Sequence, residues 1–114
     1  MLKLTDILTA MQEVDTQVYH YRVRLEAPCT VWREGNMATA DRSNGRDKLV
    51  TGSVNVVHYA KPTDVIDRTA WALLQAFARI GARCQMEPQY NPDTDEVEYW
   101  ITIDEVAING PFGD

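Results

Sequence analysis

Between Leu49 and Gly81 the spacing of apolar positions changes, and the change predicts two elements in succession. Over LVTGSVNVVHYA, Val50, Val54, Val56, His58 and Ala60 share one side of an extended chain, and Leu49, Ser53, Asn55, Val57 and Tyr59 the other. The even-numbered set is expected to face the core, with Gly52 marking a bulge. After Lys61-Pro62-Thr63, the residues Ile66, Ala70, Leu73, Leu74, Phe77 and Ile80 recur at steps of three and four. That spacing lines up one face of a helix over DVIDRTAWALLQAFARIG. Thr63 or Asp64 is the expected cap, and Asp64 and Asp67 suit the positive end of the helix dipole. Arg79 suits its negative end, and Gly81 can adopt the left-handed turn that stops it. This is the longest apolar stripe in the chain, so the core is expected to be built against it.

Elsewhere the same patterns are shorter. Ile7, Leu8, Met11 and Val14 give a narrow apolar face to a helix from about Thr5 to Asp15, capped by Thr5 or Asp6. QVYHYRVRL, from Gln17 to Leu25, alternates with period two, and CTVWR, from Cys29 to Arg33, reads as a second short strand after Pro28. EGNMATADRSNGRD holds few bulky apolar residues, so a loop over about 35–47 is expected, either mobile until bound or a passive linker. Ala82 to Gln89 is a weaker strand, YNPDTDE a turn, and Val97, Tyr99, Ile101 and Ile103 one face of a closing strand. A loose tail is expected over about 107–114.

Consecutive strands joined by short turns pair antiparallel, and helices on one face cover them. The expected fold is a single α+β domain with a mostly antiparallel sheet of four to five strands and two helices packed on one face. A length of 114 residues suits one core.

Charge and composition narrow the function. With 17 acidic against 11 basic residues and a net charge of −6, the chain lacks the positive footprint of phosphate recognition. No apolar run approaches the ~20 residues of a membrane span, and the N-terminus is unlike a signal peptide, so neither membrane insertion nor export is expected. Cys29 and Cys84 are then expected as reduced core thiols, and without CxxC or nearby histidines they make no zinc site.

Candidate chemistry is sparse. His20 and His58 lie inside strand patterns, where a structural role is the common one. Ser43 and Ser53 sit in no nucleophile-elbow pattern, and nothing around Cys29 supports a nucleophilic thiol. Asp93, Asp95, Glu96 and Glu98 invite a calcium or general-acid reading but lack an EF-hand's ligand spacing, and a solvated acidic turn explains them. Neither a P-loop nor GxGxxG is present. No catalytic, cofactor-binding or metal residue is assigned, and the chain is expected not to be an enzyme. Two tryptophans fall off the core faces: Trp71 on a shoulder of the second helix, and Trp100 with Glu98 and Thr102. They either cap the edge of a small core or contact another subunit.

The linear order carries a resemblance. A short helix precedes Ala27-Pro28-Cys29-Thr30-Val31-Trp32, and a polar gap leads to a strand with Val56, Tyr59 and Lys61 before Thr63-Asp64. A helix then ends in Leu74, Phe77, Ile80 and Gly81, followed by Tyr90-Asn91-Pro92-Asp93-Thr94-Asp95 and the strand Tyr99-Trp100-Ile101-Thr102-Ile103. Over about Thr5 to Val106 this resembles the tail terminator, or tail-completion, proteins of long-tailed bacteriophages and prophages, including minor capsid-type proteins of that group. Head-tail connector and neck proteins, or another small adaptor module, are the alternative. The resemblance implies a structural subunit of the virion tail, assembled in the bacterial host cytoplasm. It would join a homomeric ring, commonly of six, that closes the tail tube and meets both the tail-tube protein and the head-tail connector protein, while DNA passes through without specific binding. Trp71, Trp100, Val57 and Tyr59 are then the subunit-interface candidates. Asp93, Asp95, Glu96, Glu98 and Asp104 are the candidates for lining a channel that repels phosphate.

Overall fold

The computed structural model describes residues 2–15, 17–21, 26–40 and 49–108. Helix α1 spans Leu4–Val14, followed by strands β1 (Val18–His20), β2 (Cys29–Ala40) and β3 (Leu49–Ala60). Helix α2 covers Arg68–Arg79, and strands β4 (Cys84–Asn91) and β5 (Glu96–Ala107) close the chain. The five strands form one sheet in the order β1-β2-β3-β5-β4, antiparallel at every pairing except β1 with β2. The fold is α+β.

The period-two expectation holds for the two long central strands. Val54, Val56, His58 and Ala60 of β3 are buried on the same side as Tyr99, Ile101 and Ile103 of β5. Both helices pack there: Ile7, Ala10 and Met11 from α1 and Leu73, Ala76 and Phe77 from α2 join Trp32, Val54, Val56, Ile101 and Ile103 in one cluster. Each fully buried Ile, Leu or Phe contributes roughly 1.5–3 kcal/mol from the apolar area it removes from water. The opposite face carries neither helix.

Several local boundaries differ from the sequence reading, each for a physical reason. Helix α2 starts at Arg68, because the Asp67 carboxylate accepts the Ala70 N–H at 3.0 Å and takes the cap role expected of Thr63 or Asp64. Ile66 therefore lies before the helix and is 38% exposed, and Ala76 takes a core place in the stripe while Leu74 is half-buried. In α1 the cap residue is Lys3, whose backbone N–H is accepted by Asp6 from within the first turn at 3.1 Å. Strand β1 is only three residues long and runs parallel to β2, against the antiparallel expectation. Residues 22–25 of the expected first strand lie outside the described residues.

The polar gap is the largest correction. Residues 35–40, expected as the start of a loop, continue β2 and pair with β3 through Ala38–Thr51, Thr39–Val50 and Ala40–Leu49. Residues 41–48 lie outside the described residues. The register shifts between Gly35 and Ala38 on β2, opposite Thr51–Ser53, and between Ile103 and Val106 on β5, opposite Gly52–Val54, so the extra residues lie on β2 and β5 and the bulge expected at Gly52 falls on the strands either side of it. The two glycines meet closely: a Cβ on Gly52 would stand 2.8 Å from the Gly35 carbonyl oxygen, leaving no room for a side chain. Nor are residues 107 and 108 loose. The Ala107 N–H donates to the Leu2 carbonyl and the Ile108 N–H to that of Val50, both at 2.8 Å, and both side chains are buried. Residues 109–114 of the expected tail lie outside the described residues.

Candidate functional site

Two rows of side chains cross the sheet at neighbouring levels and differ in chemistry. On the helix-covered face, Thr30 of β2, His58 of β3 and Tyr99 of β5 are direct cross-strand partners. Thr30 Oγ1 donates to Asp15 Oδ2 at 2.8 Å, which leaves its oxygen to accept from His58 Nδ1, also at 2.8 Å. With one hydroxyl proton already committed, the ring must carry its own proton on Nδ1. On the other side, His58 Nε2 lies 3.1 Å from Asp67 Oδ2 but off the line of a hydrogen bond. The Asp67 backbone N–H donates to the Tyr99 hydroxyl at 3.0 Å. The C-cap of α1, Asp15, and the N-cap of α2, Asp67, thus converge on one imidazole. Burial pulls His58 below the ordinary histidine range, and the attraction of the nearby Asp67 and Asp15 carboxylates offsets this only in part.

A threonine, a histidine and an aspartate in series have the composition of a hydrolytic relay, yet this one cannot reach a substrate. Thr30 and His58 are 0% and 1% exposed, and the hydroxyl's proton is given to Asp15. The set is a structural clasp. His20 is also engaged structurally: its ring stacks on Trp32, with centroids 3.8 Å apart and planes 8° from parallel, and Nε2 contacts Glu34 Oε1 at 2.7 Å. Burial raises the Glu34 pKa, but hydrogen bonds from His20 and other groups outweigh it and hold the carboxyl below its usual value. Ser53 is half-buried on β3, and Ser43 lies outside the described residues. Cys29 is buried and Cys84 half-buried, on strands β2 and β4 with two others between them, and they form no disulfide with each other. Burial pushes the Cys84 thiol up, away from nucleophilic use. Among the described residues, no cluster of three or more His, Cys, Asp or Glu side chains is placed to hold a metal ion.

The second row lies on the face without helices. Val31, Val57 and Trp100 are cross-strand partners on β2, β3 and β5, and Tyr59 pairs with Glu98 in the next level of that face. With Arg33 and Asn55 they line a depression of about 160 Å³. Val57 is its floor at 8% exposure, and Trp100 its wall at 36%, with the indole Nε1 donating to Glu98 Oε1 at 3.2 Å. Antiparallel sheets with one free face ordinarily place polar residues there. This centre is apolar and aromatic instead. Three of the interface candidates, Val57, Tyr59 and Trp100, therefore come together.

Trp71 does not join them. It stands on α2, in the layer beyond the other face of the sheet, and is 48% exposed. The five acidic candidates also separate. Asp93 and Asp95 are exposed in the β4–β5 turn, and Tyr90 donates to Asp95 at 2.7 Å. Glu98 accepts from Asn91 and Trp100 on the open face. Asp104 is exposed, but nine residues from Asp95 along β5, about 30 Å at strand rise. Glu96 must be withdrawn as a channel-lining candidate: it is 2% exposed and accepts the Ala27 N–H at 3.3 Å. No helix among the described residues is long and apolar enough to cross a membrane. The Asp15–Thr30–His58–Asp67 chain was missed in the sequence, since its members are local signals of four different elements and only the tertiary fold joins them. Compared with known protein families and with curated proteins, the chain matches none.

Proposed function

We propose that the chain is a non-enzymatic structural subunit of a phage or prophage tail, which self-assembles into a ring that ends the tail tube and docks to the head-side connector. The observation that carries this reading is the open face of the sheet, where Val31, Val57, Tyr59 and Trp100 form an aromatic-lined depression instead of a polar surface. Tryptophan and tyrosine beside buried aliphatic side chains have the composition of an interface centre, with Arg33, Asn55 and Glu98 as its polar rim. The clasp around His58 supports a structural over a catalytic role, because its hydroxyl and imidazole are sealed from solvent. In the ring, the acidic turn of Asp93 and Asp95 is the segment suited to a lumen that repels phosphate, while Glu98 belongs to the interface rim.

Light scattering over a concentration series, alone and with tail-tube protein, tests the reading. A discrete oligomer, or association with the tube protein, is expected. A strict monomer under every condition rejects it.

A further inference from the structure

A closed ring requires each subunit to present two different surfaces, one engaging the neighbour ahead and one the neighbour behind, whereas a two-fold dimer needs a single self-complementary patch. The exposed apolar residues of this chain include two such groups on opposite sides of the sheet. One is the depression of the open face. The other is a ridge where the chain enters α2: Val65, Ile66 and Trp71 are 74%, 38% and 48% exposed. Ile66 precedes the Asp67 cap and Trp71 follows it by four residues, the two positions that form a hydrophobic staple at a helix start.

We infer that the ring contact is head-to-tail, with the Val65, Ile66 and Trp71 ridge of one copy seated in the Val31, Val57, Tyr59 and Trp100 depression of the next. The inference rests on the ring reading above and specifies its contact. The depression, a hollow of about 160 Å³, offers apolar cover to the exposed side chains of the ridge. The two surfaces also match in charge. Across the depression Arg33 and Glu98 stand on opposite sides of the apolar row, two strands and four residues apart, about 16 Å by sheet geometry. Along the ridge Asp64 and Arg68 flank Val65 and Ile66, at most about 14 Å apart. Each thus offers an acid and a base on either side of apolar side chains. Seated one way round, Asp64 faces Arg33 and Arg68 faces Glu98.

The test is a mixing experiment. Val65→Glu damages only the ridge and Trp100→Glu only the depression, and both positions are solvent-exposed, so circular dichroism is expected to match the parent chain. Each variant alone is expected to lose association by at least roughly tenfold. An equimolar mixture is expected to form a dimer and nothing larger, because each variant keeps one working surface. Should Trp100→Glu fail to fold, the exposed pair Arg33→Asp and Asp64→Arg replaces it: each alone weakens assembly and the double variant restores it. A Val65→Glu chain that assembles like the parent, a mixture with no dimer, or a charge-swapped double variant no better than the singles overturns the inference. A parent chain that is monomeric throughout overturns the ring reading itself, which the variants then do not address.

Discussion

On the helix-covered face, the row Thr30, His58 and Tyr99 encloses a hydroxyl, an imidazole and a phenol, while one residue further along the strands the row Val31, Val57 and Trp100 turns apolar groups toward the open side. Amphipathicity alone would arrange these rows the other way. The Thr30 hydroxyl, His58 Nδ1 and the Tyr99 hydroxyl are tolerated inside because each finds a partner: Asp15, Thr30 and the Asp67 backbone N–H supply what water would. The apolar groups outside have no such internal reason. The contrast separates what the fold uses to fix the order of its elements from what it leaves for another molecule.

Substitutions on the two faces should therefore part company, and the largest effect is expected in the shared core. Ile101→Ala, beneath both helices, should lower unfolding free energy by about 2–5 kcal/mol in denaturant titration, through lost transfer energy and the cavity left behind. Asp67→Ala should cost about 0.5–2 kcal/mol from the cap alone and should increase hydrogen exchange at the Ala70 amide. A further effect comes from pH. His58 is held below its unfolded value near 6.5, so the unfolded chain takes up a proton first as pH falls. Stability is then fully present above that value and declines as pH drops through it toward the folded pKa; thermal unfolding between pH 7.5 and 5 should show this decline, reduced in His58→Gln. Smallest in stability is Trp100→Ala, expected within about 1 kcal/mol of the parent despite the size of the deletion, because the indole is a wall of an open depression. A loss as large as that of Ile101→Ala would place Trp100 with the core and erase the distinction between the faces.

How much of this was legible beforehand depends on range. The alternation in β3 and β5 revealed both the central ladder and its buried side, because one side of each strand is apolar for most of its length. The α2 stripe was equally plain, but its start was not: Asp64 and Asp67 are both competent caps, and only the Ile66–Trp71 staple spacing singles out Asp67. Residues 35–40 read as a loop in the sequence because, Met37 apart, their side chains are small or polar. Strand pairing there is carried by backbone hydrogen bonds past a bulge, which need no apolar alternation. The alternation around β1 marks a strand, but its parallel pairing with β2 has no local signature. On the candidate surfaces, the period-two pattern put Val57 and Tyr59 on one side of β3, but bringing Trp100 beside them required knowing that β5, not β4, is the neighbour of β3.

Asp67, whose carboxylate accepts the Ala70 amide and whose own backbone N–H donates to the Tyr99 hydroxyl at 3.0 Å, has a consequence for assembly geometry. It pins the first turn of α2, and hence the ridge, to the middle of the sheet whose far side bears the depression. The angle between these two surfaces decides how many copies complete a circle, and a few degrees of play in each subunit would accumulate around the circuit. In the proposed assembly, subunit number is then a property of the joint inside each monomer, and loosening Asp67 should broaden the distribution of ring sizes seen by native mass spectrometry.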